Sequence, residues 1–274
     1  MSIAEKLTAI AENEQKVFEA GYNEGKSEGY GEGQLDGYNN GYDTGVIDGR
    51  QAEYDEFWDD YQWNGERTDY QVSFSGYGWN KDTFKPKYNI APSTAYMMFR
   101  YFNRATGNEP IDLVDHLEKL GVTLDFSNST SGGYDFQYAR ISRVGIVNLS
   151  KRNAGIENTF INCSYLETIE GLVFKNDGSQ NWYTPFTGCS KLKNVNSVEG
   201  KIGRTANLSP CPLTAQSAIN FINALMDYSG TSNEYAYTIT FSSTTTAELE
   251  ALGNTAPNGE TWLEYVQNVL CWNV

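Results

Sequence analysis

The chain has 274 residues, 35 acidic against 20 basic, giving a net charge of −15; 39% of it is hydrophobic and 14% aromatic. That length allows one or two domains with a sizeable core, and the acidic balance makes nucleic acid and anionic lipid poor partners. No apolar run approaches the roughly 18 residues a spanning helix needs, so membrane insertion is not expected. The opening residues 1–6 lack a basic segment followed by an apolar core, so no signal peptide is expected either.

Residues 1–61 read as a helical oligomerisation stalk. Ile3, Leu7, Ile10 and Val17 start an amphipathic stripe. Gly21, Gly25, Gly29, Gly33, Gly37, Gly41, Gly45 and Gly49 then stand at every fourth position. Each interior glycine costs about 0.8–1 kcal/mol relative to alanine, so the ladder costs roughly 6–8 kcal/mol. Close approach of a second helix offsets such a cost, because missing side chains let two backbones meet. A period of four exceeds 3.6 and implies right-handed winding of the partners. The stalk is expected to form a homo-oligomer, a trimer or dimer. Residues 1–60 hold 15 acids and 4 bases, so −11 of the net charge sits there. Glycine-every-fourth stretches resemble those of some flagellar export regulators and phage structural proteins.

Residues 62–87 read as an aromatic collar and linker, with Trp63, Tyr70, Phe74, Tyr77, Trp79 and Phe84 in a polar setting. From residue 88 the pattern changes to short apolar triplets. Phe160-Ile161-Asn162-Cys163-Ser164-Tyr165-Leu166-Glu167-Thr168-Ile169 aligns with Phe186-Thr187-Gly188-Cys189-Ser190-Lys191-Leu192-Lys193-Asn194-Val195 at a spacing of 26. A weaker copy runs through Phe136, Ala139, Ile141, Val144 and Val147. Met97–Phe99 and Leu113–Asp125 look like further degenerate coils, the latter a helix and then a strand. A period in the twenties signals a solenoid in which stacked coils close a shared core. The expected fold class is therefore α+β, with residues 88–212 forming an irregular solenoid.

Residues 213–274 read as an α/β cap on that solenoid. A helix opens at Leu213–Ala215, with Ala218, Ile219, Ile222, Leu225 and Met226 on its apolar face, and stops at Ser229-Gly230. Tyr235–Phe241 alternates as a strand. Thr245 to Glu248 has capping-box spacing and starts a short helix. Trp262, Val266, Val269 and Leu270 form a last helical stripe, and Cys271–Val274 ends the chain as a strand.

The motif F-x-x-C-x-x-L-x-x-I, carried by Phe160, Cys163, Leu166 and Ile169 and again by Phe186, Cys189, Leu192 and Val195, resembles the BspA-like leucine-rich repeats. The resemblance implies that the solenoid over residues 88–212 is of the leucine-rich-repeat kind. The Ile-Pro step usual after each strand in that family is missing. The whole layout also resembles proteins encoded by phages of gut Firmicutes. Stacked coils would bring Cys163 and Cys189 about 4.8 Å apart, close enough for a disulfide; the resemblance implies packed free thiols instead. With no CxxC pair among Cys163, Cys189, Cys211 and Cys271, and His116 the sole histidine, no metal or other cofactor is expected.

Candidate chemistry is thin. His116, with Asp112, Asp115 and Glu118 nearby in sequence, reads as a surface histidine on an amphipathic helix. Asp59 and Asp60 are adjacent, so on a helix they point apart and do not converge as glycosidase carboxylates. Trp182, Tyr183, Trp63 and Trp79 lie in polar or glycine-rich segments, where exposed rings would stack on a sugar or anchor a protein; for Trp63 and Trp79, packing between stalk and body competes with that role. The expected function is a non-enzymatic phage tail-associated structural and receptor-binding protein of the virion. Its expected partners are other tail proteins and a host surface glycan or protein. The alternatives are a bacterial cell-surface BspA-like adhesin and, third, a tail-tip glycan hydrolase.

Overall fold

The chain divides into two compact units, Met1–Gln62 and Trp63–Val274. The computed structural model describes residues 74–274, apart from 76–78, 87–88, 94, 106, 131, 153–155, 157 and 183. The glycine ladder from Gly21 to Gly49, Trp63 and Tyr183 thus lie outside the described residues.

The second unit carries a parallel β-solenoid. Strand β1 (Ile111–Asp112) leads into helix α1 (Leu113–Leu120), followed by β2 (Ile141–Asn148), β3 (Thr168–Val173), β4 (Asn194–Val195) and β5 (Val198–Glu199). These strands form one parallel sheet in the order β1-β2-β3-β4, with β5 also on β3. Val144 pairs with Ile169 and Ile169 with Val195, so successive coils advance by 25 and 26 residues. The pairing continues past residue 212. β6 (Ala206–Asn207) pairs in parallel with β7 (Ile239–Thr240), and bridges join Ile202 to Leu225 and Thr238 to Asn273.

Neither a strand period of 2 nor a helix period of 3.6 describes the buried positions. Phe160, Cys163, Leu166, Ile169 and Leu172 all point inward at steps of three, each at most 1% exposed. Phe186, Cys189, Leu192 and Val195 repeat this one coil later. The step of three arises because the Phe-to-Cys segment is a succession of tight turns. Cys163 N–H donates to Phe160 O, and Cys189 N–H to Phe186 O. The turns use left-handed backbone at four-residue intervals: Met97 and Tyr101, Tyr134 and Tyr138, Asn158 and Asn162, Thr184 and Gly188. Such conformations are uncommon outside glycine and asparagine, and here a second ladder of coil-to-coil hydrogen bonds fixes them. Tyr101 N–H reaches Gln137 O at 3.0 Å, Tyr138 N–H reaches Ile161 O at 2.8 Å, and Asn162 N–H reaches Thr187 O at 2.6 Å.

Inside this ladder Phe99, Phe136, Phe160 and Phe186 form a column. Adjacent rings lie 5.2, 5.2 and 5.6 Å apart between centroids and are within 11° of parallel. Phe221, on helix α2 (Ala215–Ala224), ends the column edge-on against Phe186. At the other end Phe74, Trp79 and Phe84 pack edge-to-face on each other, and Phe74 and Phe84 reach Phe99. The collar aromatics described here are thus buried as the first layer over the column.

All four cysteines are free and buried. Cys163 Sγ donates to Phe136 O and Cys189 Sγ to Phe160 O, each tying one coil to the one before it. Burial pushes the Cys163 and Cys211 thiols well above their ordinary range, with neighbouring Cys189 adding to it. Thiolate is the reactive form, so Cys163 and Cys211 should resist iodoacetamide in the native chain at pH 8 and react once it is unfolded. Mass-spectrometric mapping checks this; labelling at the unfolded rate would contradict the packing.

The C-terminal elements differ from their sequence expectations in their limits. α2 is capped by Thr214 but ends at Ala224, because Leu225 turns extended to bridge Ile202. The strand expected over Tyr235–Phe241 is paired only at Ile239–Thr240 with a bridge at Thr238; Tyr235 has left-handed backbone and is 51% exposed. Helix α3 (Ser243–Ala251) starts earlier than Thr245, since Ser242 is its N-cap and accepts from Thr245 N–H. The Thr245 hydroxyl instead donates to Leu213 O at 2.9 Å inside the core. The true capping box belongs to α4 (Trp262–Asn268), between Thr261 and Glu264.

Two glycines are fixed by close approach. Gly200 has φ +89°, and a Cβ there would meet Phe174 O at 2.3 Å. A Cβ on Gly132 would meet Arg152 Nη1 at 2.2 Å. Arg152 is fully buried beneath it and forms an ion pair with the equally buried Asp135.

Candidate binding cleft

Trp182, expected as an exposed contact residue, is only 2% exposed. Its ring packs on Phe174 at 4.6 Å and on Phe221 at 5.8 Å, filling the junction between the last regular coil and α2. That placement corrects the expectation of a presented ring. The polar sequence around it belongs to its neighbours, while Trp182 is the large apolar group that closes the turn. Trp79 is 7% exposed and packs on Phe74 and Phe84. His116 is half-buried rather than free on the surface of α1, a second correction. Its Nε2 lies 2.6 Å from Phe84 O and its ring stacks on Phe84 at 5.9 Å, so it ties α1 to the aromatic layer.

The surface that does gather functional side chains lies on the turn face, beside the phenylalanine column. The residues two places after each column phenylalanine are Tyr101, Tyr138, Asn162 and Gly188. They form a second column that shrinks along the solenoid. Tyr101 and Tyr138 stack at 5.1 Å and 7°. Gly188 is small because Asn162 lies against it: a Cβ there would be 2.3 Å from Asn162 Oδ1. Among the residues four and five places after these phenylalanines are Arg104, Arg140, Ser164, Tyr165 and Lys191.

Between these columns opens a cleft of about 500 Å³, whose walls include Arg104, Tyr138, Arg140, Asn162, Ser164 and Tyr165. The cations are held by rings. The Arg104 guanidinium carbon sits 4.5 Å from the Tyr138 centroid and 5.6 Å from that of Tyr101. Arg140 lies 4.5 Å and Lys191 Nζ 4.9 Å from the Tyr165 centroid. Cation–π contacts of this kind contribute about 0.5–1 kcal/mol at exposed sites and more where water is excluded.

Among the described residues the cleft cations differ from the two ion-paired arginines and resemble Arg100 and Arg204, which also lie over tyrosine rings. Arg143 pairs with Asp112 and Glu170, and Arg152 with Asp135. Among the described residues, Arg104, Arg140 and Lys191 have no carboxylate partner, and the buried Arg140 Nε has no acceptor. No acidic residue is among the described residues lining the cleft. The described walls of the cleft thus carry positive charge and no carboxylate. Arginine forks of this kind match planar oxyanions in a bidentate way.

No group of His, Cys, Asp and Glu able to hold a metal ion is found among the described residues. Nor is any described helix long and apolar enough to cross a membrane. Reading the chain coil by coil could have found part of the cleft: the positions two, four and five after each phenylalanine include Tyr101, Arg104, Tyr138, Arg140, Asn162 and Tyr165. The two aligned coils that reveal the repeat hold Asn162, Ser164, Tyr165, Gly188, Ser190 and Lys191 at those positions, so the motif alone shows neither arginine. Comparison with protein families, with curated proteins and with solved structures finds no match.

Proposed function

We propose that this chain is a non-enzymatic receptor-binding protein associated with a phage tail. In this reading the N-terminal segment assembles a dimer or trimer through the Gly21–Gly49 ladder. A BspA-like leucine-rich-repeat body then presents its turn face to a host surface glycan or protein. The observation that carries the reading is the cleft of Arg104, Tyr138, Arg140 and Tyr165, whose cations have no carboxylate partner among the described residues. Its described walls hold arginine, tyrosine, asparagine and serine, a set suited to holding a ligand; the paired carboxylates of a glycan hydrolase are not part of it. The coil motif through Phe160 and Phe186 supports the repeat family, and the ladder's unbroken step of four supports association.

The test is attachment. Fluorescently labelled full-length protein applied to intact gut Firmicutes cells should bind saturably, and Arg104→Gln with Arg140→Gln should reduce the bound fraction at least tenfold. Absence of saturable attachment to any strain of a broad panel would overturn the receptor-binding reading. Light scattering tests the stalk separately. Gly33→Leu with Gly37→Leu should lower the molar mass of the full chain to that of a monomer; an unchanged mass would remove the ladder as the contact.

A further inference from the structure

We infer that the cleft takes an anionic saccharide, a sugar bearing a carboxylate or a phosphate. This rests on reading the cleft as the contact surface of the protein and names what that surface selects. Three features converge. The first is charge: Arg104 and Arg140 line the cleft, Lys191 approaches the Tyr165 ring beside it, and none of the three has a carboxylate partner among the described residues, in a chain of net charge −15. A neutral sugar would leave those cations uncompensated, whereas an oxyanion would accept from them.

The second feature is how the rings are used. In a site built for neutral sugars the aromatic faces are open for stacking. Here Tyr138 is covered by Tyr101 and approached by Arg104, while Tyr165 is approached by both Arg140 and Lys191. The tyrosines therefore orient cations, and the cations make the contact. Guanidinium groups held in place in this way lose less rotamer freedom on binding than free surface arginines.

The third feature is size and polarity. A volume of about 500 Å³ falls within the range of small-molecule pockets and exceeds what a bare inorganic anion needs. Asn162 and Ser164 line the same space and supply amide and hydroxyl groups for sugar hydroxyls. Backbone hydrogen bonds to the next coil fix Tyr138 and Asn162, so the site is preformed.

Titration calorimetry on the full-length chain tests this with four probes: trigalacturonate, a neutral galactose trisaccharide, a phosphorylated hexose and inorganic phosphate. At least one of the two acidic saccharides should bind at least tenfold more tightly than the neutral one, and more weakly as salt rises. The carboxylate and phosphate arms tell which anionic group is selected. Arg104→Gln and, separately, Arg140→Gln should each raise its Kd at least tenfold. Arg104 is exposed, so its variant should lower the melting temperature by no more than the few degrees that loss of a cation–π contact costs. Equal affinity for the neutral sugar, binding of inorganic phosphate as tight as of the saccharides, no binding of either acidic probe, or unaltered affinity in both variants would each overturn the inference. The attachment assay separates the two claims. Cells bound without acidic-sugar affinity would sink only the ligand class, and acidic-sugar affinity without cell attachment would sink only the receptor-binding role.

Discussion

Replacing Arg152 by methionine should cost about 3–5 kcal/mol of stability, because it strands a charge that has no access to water. Arg152 and Asp135 are both fully buried and paired, and Gly133 N–H donates to Asp135 Oδ1 at 2.9 Å. Burial holds the Asp135 carboxyl above its ordinary value of 3.8, and Arg152 works against that rise. Removing the guanidinium leaves burial unopposed, so the folded variant binds the Asp135 proton more tightly than the unfolded chain does. Stability then falls as pH rises. The contribution of the neutral carboxyl is fully present below the unfolded pKa and is lost as pH climbs through the raised folded value. Urea unfolding should therefore show a smaller deficit for Arg152→Met at pH 4 than at pH 8. Adding Asp135→Asn, which removes the charge and keeps an acceptor for Gly133, should restore more than half of the loss at pH 8. A deficit under about 1 kcal/mol, or one that does not depend on pH, would show that the pair is not sealed from solvent.

Phe160→Ala should cost a comparable amount, about 3–5 kcal/mol, as deletion of a large core side chain does. Phe160 is the case expected near the top of that range. It sits between Phe136 and Phe186 with both rings near-parallel, so one substitution breaks two stacks as well as opening a cavity. Each aromatic pair adds roughly 0.5–1.5 kcal/mol beyond its buried area. Its backbone N–H donates to Pro185 O and its carbonyl accepts from Cys189 Sγ, so the following coil restrains relaxation into the space. Phe160→Leu retains most of the volume and should lose less than half as much. The readout is the thermal midpoint, shifted by on the order of 10 °C for the alanine variant. A shift of a degree or two would mean that the column contributes little to holding coils together.

The repeat was legible because two coils preserve the same inward residues at the same step: Phe160, Cys163, Leu166 and Ile169, then Phe186, Cys189, Leu192 and Val195. Parallel coils at steps of 25 and 26 follow from that. Limits of elements were less legible where tertiary pairing overrides a local pattern. Leu225 continues an apolar helical stripe in sequence, yet a bridge to Ile202 ends the helix. Thr245 has the spacing of a cap, yet its hydroxyl is drawn into the core by Leu213 O.

Contact residues were the least legible. Composition marked Trp182 as exposed because its neighbours are Asn181 and Gln180. Gln180 is itself buried, donating to Leu149 O, and Trp182 closes a gap against α2. The residues that do face the cleft come from coils whose motif has drifted. Arg104 and Arg140 are separated by 36 positions in sequence, and only the stacking of Phe99 on Phe136 brings them into one wall. The left-handed conformations of Tyr101 and Tyr138 gave no warning either, since tyrosine carries no sequence signal for that backbone.

The column of Phe99, Phe136, Phe160 and Phe186 also acts as a ruler for descent by tandem duplication. A copied block of 26 residues beginning at Phe160 would insert one more ring and one more rung, leaving every existing layer its old kind of neighbour. The same event would push Lys191 one storey away from Tyr165 and hand its place to a second Tyr165, so lengthening the body rewrites the mouth of the cleft without touching the architecture beneath it.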